Sequence, residues 1–175
     1  MKRIIHQTWK SDNIPSYYQK WIHSWKENHS EWDYMFWSDN DLRDFISTNY
    51  NWFIKTYDGY SKNIMRVDAA RYFLLYHYGG LYVDMDVECY RAIDDLIYNK
   101  CVLFREYPDD FLQTEIGSQN IITNSIMYSD ASSPLFKMLV NSLDIKSQQN
   151  ISNENLNVIY TTGPMFLTLK GRTVY

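Results

Sequence analysis

The stretch YFLLYHYGGLYVDMDVECY, residues 72–90, decides the fold of this chain. Its apolar first half continues a helical spacing that we predict over residues 61–78. Two glycines follow, and glycines end helices because they adopt the left-handed backbone that other residues avoid. Beyond them, residues 81–83 predict a buried strand, and two aspartates separated by one methionine come directly after it. The stretch therefore predicts a tight turn that brings charged side chains to the end of a core strand.

The rest of the chain alternates predicted strands with predicted helices. Strands are predicted at 3–8, 31–37 and 101–106, with one or two more within 119–129. Helices are predicted at 17–28, after a capping box formed by Ser38 and Asp41, in part of 50–60, and at 133–143 and 164–170. Residues 91–98 predict a short helix or turn, and 146–157 a polar loop. This alternation is typical of an α/β protein, and we predict one domain over residues 1–175.

Length and composition narrow the class of protein. The 175 residues are 45% hydrophobic and 22% charged, which is a globular composition. The formal charge of −4 argues against a nucleic-acid backbone as the partner. No window approaches the roughly 18 apolar residues of a membrane span, and the N-terminus lacks the apolar run of a signal peptide. Together with Cys89 and Cys101, which form no CxxC motif, these features predict a soluble, cytoplasmic protein with reduced cysteines.

Two charged residues lie within the apolar stripe of the predicted central helix. Arg71 is four residues from both Val67 and Leu75, and Asp68 is four residues after Ile64. Charges in a buried stripe are costly unless they are paired or bound by a partner. Two interpretations stay open: a structural ion pair under the sheet, or two side chains that reach a polar ligand at the sheet edge.

The aspartate pair predicts a metal site. Asp84 and Asp86 would share one face of an extended chain, where their carboxylates would repel each other. A divalent cation removes that repulsion, and oxygen ligands favour Mg²⁺ or Mn²⁺ over zinc. These ions usually bind the phosphate oxygens of a substrate as well. The alternative is a solvated acidic turn without a ligand.

Three blocks of the sequence resemble a known family. MRVDAARYFLLYHYGGLYVDMDVECY, residues 65–90, is similar to the signature of DXD-containing Och1-like sugar transferases, glycosyltransferase family 32. The opening RIIHQTWK and the late TTGP resemble two further blocks, and the order and spacing agree over about residues 3–170. The resemblance implies the GT-A fold of nucleotide-diphospho-sugar transferases, with a mixed central sheet flanked by helices. Many members continue for tens of residues after TTGP, so two interpretations stay open: a chain truncated at its C-terminus, or a minimal enzyme.

The resemblance also implies the ligands and the residues that bind them. The donor would be a UDP- or GDP-sugar, held with Mn²⁺ or Mg²⁺. Asp84 and Asp86 would bind the metal, with Asp84 also contacting the ribose, and Asp68 and Arg71 would hold hydroxyls of the sugar. The remaining implied residues belong to the nucleotide pocket or face the sugar: His6, Gln7 and Thr8 on the pocket wall, Trp9 stacked on the base, and Asn124 on the strand facing the sugar.

The predicted reaction is transfer of a hexose to an acceptor hydroxyl on a glycan, lipid or protein. The resemblance implies retention of anomeric configuration, and since no nucleophilic carboxylate is obvious, front-side attack is the preferred hypothesis. One alternative enzyme is a Mg²⁺-dependent phosphohydrolase, but DMDVE comes late in the chain and lacks the threonine of that motif. A second alternative is not an enzyme but a lectin-like module that binds carbohydrate through its aromatic rings, since 17% of the residues are aromatic. A catalytically incomplete chain that binds sugar nucleotides without transfer is the third.

Overall fold

Five strands form one mixed sheet. A computed structural model of the protein describes residues 3–97, 100–106, 120–144, 151 and 153–171. The strands are β1 (Ile4–Trp9), β2 (Asp33–Ser38), β3 (Gly80–Val83), β4 (Cys101–Arg105) and β5 (Ile122–Ser129). Their order is β2–β1–β3–β5–β4. β1 pairs in parallel with β2 and β3, whereas β5 runs antiparallel to both β3 and β4. The predicted mixed sheet is therefore confirmed.

The helices pack against this sheet. In the described part of the chain they are α1 (Gln19–Asn28), α2 (Asp39–Asn49), α3 (Ile54–Asp58), α4 (Asn63–His77), α5 (Pro134–Asp144), α6 (Glu154–Thr161) and α7 (Pro164–Gly171). The predicted capping box opens α2, where the Ser38 hydroxyl and the Asp41 carboxylate bond each other's backbone N–H. None of these helices is long and apolar enough to cross a membrane. Cys89 and Cys101 are both free thiols.

Two predictions of local structure are wrong. The loop predicted at 146–157 ends earlier, because Asn153 caps α6 by accepting hydrogen bonds from the N–H groups of Asn155 and Leu156. The polar composition hid this helix, although the N-cap signal is present in the sequence. Ile64 was predicted to be buried but is 48% exposed, because the first turn of α4 borders two surface cavities. Residues 146–150 and 152 of the predicted loop lie outside the described residues, as does residue 119 of the predicted strand region 119–129. Within the segment 91–98, residues 94–96 form a turn.

The glycine pair between α4 and β3 is required by the backbone. Gly79 and Gly80 have φ values of 70° and 98°. A Cβ at Gly79 would lie 2.5 Å from the amide nitrogen of Ala131, and one at Gly80 would lie 2.5 Å from the carbonyl oxygen of Ile4. Both distances are too short for any side chain. The turn therefore sets β3 directly beside β1, with α4 closing back over the sheet.

Replacing Gly80 with alanine is expected to lower the free energy of unfolding by about 2–4 kcal/mol, because the new Cβ adds a backbone clash to an unfavourable φ. Gly171→Ala is the control, since among the described residues its Cβ would meet only the Ile122 side chain, at an ordinary 3.5 Å. Urea unfolding followed by circular dichroism compares the two. Equal unfolding midpoints for both variants would contradict the prediction.

Candidate functional site

A cavity of about 290 Å³ lies at the carboxyl ends of β1 and β3. These two strands are parallel, and in α/β sheets ligands bind beyond the carboxyl ends of such strands. Five residues that the sequence pointed to are on its wall: Thr8, Trp9, Arg71, Asp84 and Asp86. The glycine turn and the sheet register therefore bring β1, α4 and the aspartate pair to one place.

The aspartate pair sits on a turn, which corrects the extended geometry assumed from the sequence. The Asp84 N–H donates to Ser125 O on β5 at 2.7 Å, and the Val87 N–H returns to Asp84 O at 3.2 Å. β3 therefore ends at Val83, and the chain reverses immediately after it. Asp84 and Asp86 nevertheless both line the cavity, because the turn folds over its edge.

The donor set at this turn fits a hard divalent cation. Asp86 is exposed and makes no hydrogen bond or ion pair within the described residues, and the Asp84 side chain is 30% exposed. Over the same residues, no group of three or more acidic, histidine or cysteine side chains could hold a metal ion. The protein would therefore supply one or two carboxylates and leave the other positions to water and a ligand. Mg²⁺ and Mn²⁺ bound with substrate phosphates are held in this way.

Arg71 is the centre of a buried charge cluster behind the aspartates. Its Nη2 lies 3.0 Å from Asp68 Oδ1 and its Nη1 lies 3.3 Å from Asp84 Oδ1. Nη1 also donates to Asn124 O at 2.7 Å, and the guanidinium lies 4.5 Å from the centre of the Tyr82 ring. Burial opposes the charge, but Asp84, Tyr82 and Asp68 together outweigh it and raise the pKa of Arg71 above its usual value. The cluster therefore holds a permanent cation between two carboxylates.

Asp68, unlike Arg71, is not on the cavity wall. It is 4% exposed, and its Oδ1 accepts from Asn124 Nδ2 at 3.0 Å while its Oδ2 accepts from Thr162 Oγ1 at 3.2 Å. Burial raises the pKa of Asp68, against the neighbouring Arg71, which lowers it. Of the two interpretations of this pair, the buried ion pair is present, and its arginine also faces the cavity.

Tyr82 positions Asp84, a role that we did not predict from the sequence. The fully buried Tyr82 hydroxyl donates to Asp84 Oδ1 at 2.8 Å and lies 3.1 Å from Thr8 Oγ1. Burial raises the pKa of Tyr82 well above its usual value, so the phenol keeps its proton and Thr8 is the donor in the second bond. Strand alternation was the available signal, because residues i and i+2 share a face and Tyr82 precedes Asp84 by two.

His6 and Gln7 are not on the cavity wall in this structure. His6 is fully buried, where Nδ1 accepts from Trp37 Nε1 at 3.2 Å and Nε2 is 2.9 Å from Gly79 O. Gln7 is also fully buried, and its amide nitrogen donates to Asp84 O at 3.3 Å. Both residues therefore support the glycine turn and the aspartate turn from inside the sheet.

Aromatic and polar residues complete the cavity. The Trp9 ring lies 4.7 Å from the Tyr18 ring, and the buried Trp9 Nε1 has no hydrogen-bond partner within the described ranges. Two polar residues that we did not predict, Asp39 and Asn63, also line it and bond each other at 2.8 Å. They stand at the first residues of α2 and α4, positions that become neighbours only when the two helices pack together.

Comparison with known sequences matches this chain to one family of glycosyltransferases. The family described as "Glycosyltransferase sugar-binding region containing DXD motif" matches residues 15–103. Inositol phosphoceramide mannosyltransferases 3 and 2 of Schizosaccharomyces pombe are 37% and 33% identical, each over 95% of this chain and 44% and 45% of their own length. Mannosyl phosphorylinositol ceramide synthase SUR1 of Saccharomyces cerevisiae is 32% identical over 95% of this chain and 41% of its own. The chain spans less than half the length of these relatives.

Solved structures match the fold. PaToxG glycosyltransferase superposes with a TM-score of 0.70 at 15% identity, covering 97% of this chain and 68% of that protein. The glycosyltransferase domain from the YGT toxin gives a TM-score of 0.54 at 8% identity, with coverage of 98% and 77%. At these identities the likeness concerns the fold alone, and with the mixed sheet it confirms the predicted GT-A-type architecture.

Proposed function

The chain belongs to the glycosyltransferase family whose sugar-binding region contains the DXD motif, and from this premise we propose that it transfers a hexose from a nucleoside-diphosphate sugar to an acceptor hydroxyl. The observation that supports this most directly is the Arg71 cluster, which joins Asp68 to Asp84 at the cavity. Mannose is the first hexose to test, because relatives 32–37% identical are named mannosyltransferases or mannosyl synthases. Their names also make a phosphoinositol-containing lipid the first acceptor to test.

Different residues would bind the two parts of the donor, the diphosphate and the sugar. Asp84 and Asp86 would hold Mn²⁺ or Mg²⁺, which when bound neutralises charge on the departing nucleoside diphosphate. Tyr82 and Arg71 hold Asp84 in one orientation, so the carboxylate needs little reorganisation when the donor binds. Trp9 remains our candidate for stacking on the base of a UDP- or GDP-linked sugar.

The sugar would lie against Arg71, with Asp68 and Asn124 in support. Asp68 accepts hydrogen bonds on both carboxylate oxygens from Arg71, Asn124 and Thr162. A carboxylate held in this way is a poor nucleophile because its lone pairs are engaged. We therefore propose that the acceptor attacks from the face of the leaving group, with retention of configuration and without a covalent intermediate.

A second candidate function is donor binding without transfer. The cavity and the Arg71 cluster, which support transfer, would support donor binding on its own equally well. The phosphohydrolase and lectin alternatives lose their support with the family membership. The cytoplasmic location expected from the sequence stays a prediction.

A donor screen tests the proposal. UDP- and GDP-linked glucose, galactose and mannose are incubated with the protein and Mn²⁺ or Mg²⁺, with and without a short-chain phosphoinositol lipid, and nucleoside diphosphate release is measured. Donor binding is measured separately by calorimetry. Acceptor-stimulated release supports transfer, binding without release supports the second candidate, and the absence of both refutes the proposed site.

Replacing Tyr82 with phenylalanine is expected to lower kcat/KM for the donor roughly 10- to 100-fold, because a hydrogen bond to a charged carboxylate contributes about 1.5–3 kcal/mol. The ring that packs on Arg71 is kept, so the fold should persist. The metal concentration that gives half-maximal activity should rise as Asp84 loses its orientation.

The matched control for this variant is Tyr128→Phe. Tyr128 is also fully buried on a strand, and its hydroxyl also bonds the aspartate two residues later, Asp130, at 3.4 Å. Neither Tyr128 nor Asp130 lines the cavity, so kcat/KM of the Tyr128→Phe variant for the donor should stay within about twofold of that of the parent protein. Equal losses in both variants would show that Tyr82 acts through stability and not through Asp84.

A further inference from the structure

A second cavity, of about 400 Å³, lies between the start of α4 and α6. Its described lining is Lys62, Ile64, Asn155, Val158 and Ile159, and we call it the α4–α6 groove. We infer that this groove binds the hydrocarbon part of an amphiphilic acceptor, an inference that rests on the proposed function. Its volume lies in the range of small-molecule sites, which are mostly apolar with a few polar groups.

The groove adjoins the donor cavity, because Ile64 lines both and is 48% exposed. Thr162, which donates to Asp68, follows α6 directly, and its N–H bonds Val158 O at 3.1 Å. One helical turn therefore separates the residue that contacts Asp68 from the wall of the groove. Because transfer needs the acceptor oxygen beside the reacting carbon, the acceptor must enter next to the sugar.

The chemistry of the groove favours hydrocarbon over a sugar ring. Its apolar wall is aliphatic (Ile64, Val158 and Ile159), and no aromatic ring is among its described lining residues. Sugars find their best platforms on aromatic faces, whereas alkyl chains need only an apolar surface to leave water. At its polar end, Lys62 pairs with the exposed Glu154 at 2.8 Å. The same lysine offers a cation to the phosphate of an anionic headgroup.

A third cavity, of about 320 Å³, is the rival position for the acceptor. It also adjoins the donor cavity, through Asp39 and Asn63, but on the side of α2. Charged groups dominate its wall, including Arg43, which forms a bidentate ion pair with Asp58 through hydrogen bonds of 2.9 and 2.7 Å. An alkyl chain there would desolvate these groups without replacing their contacts with water. This cavity therefore suits a polar ligand.

Photolabelling tests the inference without requiring turnover. The probe is octyl phosphoinositol with a diazirine at the end of its chain, added to the full chain with Mn²⁺ and a nucleoside diphosphate, and labelled peptides are mapped by mass spectrometry. We expect the label on α6 or around Ile64, and we expect unlabelled octyl phosphoinositol, but not inositol phosphate, to compete. Ile159→Asn should lower the labelling at least about fivefold, because it places an amide on the apolar wall.

Leu169→Asn is the matched control, since Leu169 is another helical, 46% exposed aliphatic residue but lies outside the groove. It should label like the parent protein. No labelling, uniform labelling, labelling near Arg43, or equal labelling of both variants would each overturn the inference. Labelling in the groove without nucleoside diphosphate release from any donor would refute transfer but not the groove. Failure of the groove inference and failure of the proposed function are therefore distinguishable.

Discussion

Asp86→Asn is expected to lower metal-dependent nucleoside diphosphate release about a thousandfold while leaving the stability of the fold nearly unchanged. Asp86 is exposed on the cavity wall and makes no hydrogen bond or ion pair within the described residues, so the fold does not depend on its charge. If Asp84 and Asp86 hold the metal as proposed, the loss of one carboxylate ligand would remove several kcal/mol of stabilisation of the leaving diphosphate. About 4 kcal/mol corresponds to that thousandfold change.

Glu88→Gln is the control for Asp86→Asn. It makes the same change of charge two residues later, at an exposed position that does not line the cavity. Release is measured as a function of Mn²⁺ concentration, and binding of the nucleoside diphosphate with Mn²⁺ is measured by calorimetry. If Asp86→Asn keeps the metal-dependent release of Glu88→Gln, the assignment of Asp86 to the metal is wrong.

Arg71→Met is expected to lower the free energy of unfolding by about 3–5 kcal/mol and to reduce both donor turnover and nucleotide binding. Removing the guanidinium leaves Asp68 as a buried carboxylate without its cation and Asn124 O without its donor. The family resemblance implies that Asp68 and Arg71 hold hydroxyls of the sugar, a role that by itself would leave binding of metal and nucleotide intact. The 3.3 Å contact with Asp84 changes that expectation for Arg71, because the same guanidinium orients a proposed metal ligand.

Three comparisons separate stability from site geometry in this variant. Arg43→Met breaks an exposed pair with Asp58 and should cost less than about 1 kcal/mol. Arg71→Lys keeps the charge but not the planar fork, so it should fold and still lose at least tenfold in donor kcat/KM. Asp68→Asn should affect sugar use more than binding of Mn²⁺ and nucleotide. The role given to Arg71 would be contradicted if Arg71→Met and Arg43→Met unfolded at the same urea concentration. It would also be contradicted if Arg71→Lys turned over the donor as fast as the wild-type protein.

Apart from α6, the order of the helices and strands was readable from the sequence, because the signals for it are local. Apolar spacing, the Ser38 cap and the glycine pair each act over a few residues, and the structure confirms the elements that they predicted. The two errors are at positions where the local sequence pattern does not report the environment that the folded chain creates. Ile64 follows the helical stripe but faces the cavities, and α6 begins inside a polar segment whose cap outweighs its composition.

The sequence by itself therefore determined the elements, the helix-to-strand turn and the residue types at the end of β3. Tertiary structure alone decided how those residues are paired. Arg71 bridges Asp68 and Asp84, and Asp68 accepts a hydrogen bond from Thr162, which is 94 residues further along the chain. Residue spacing predicts neighbours within a helix or along a strand, because backbone geometry repeats. Contacts between distant segments depend instead on which faces pack together, and that follows from the burial of the whole core.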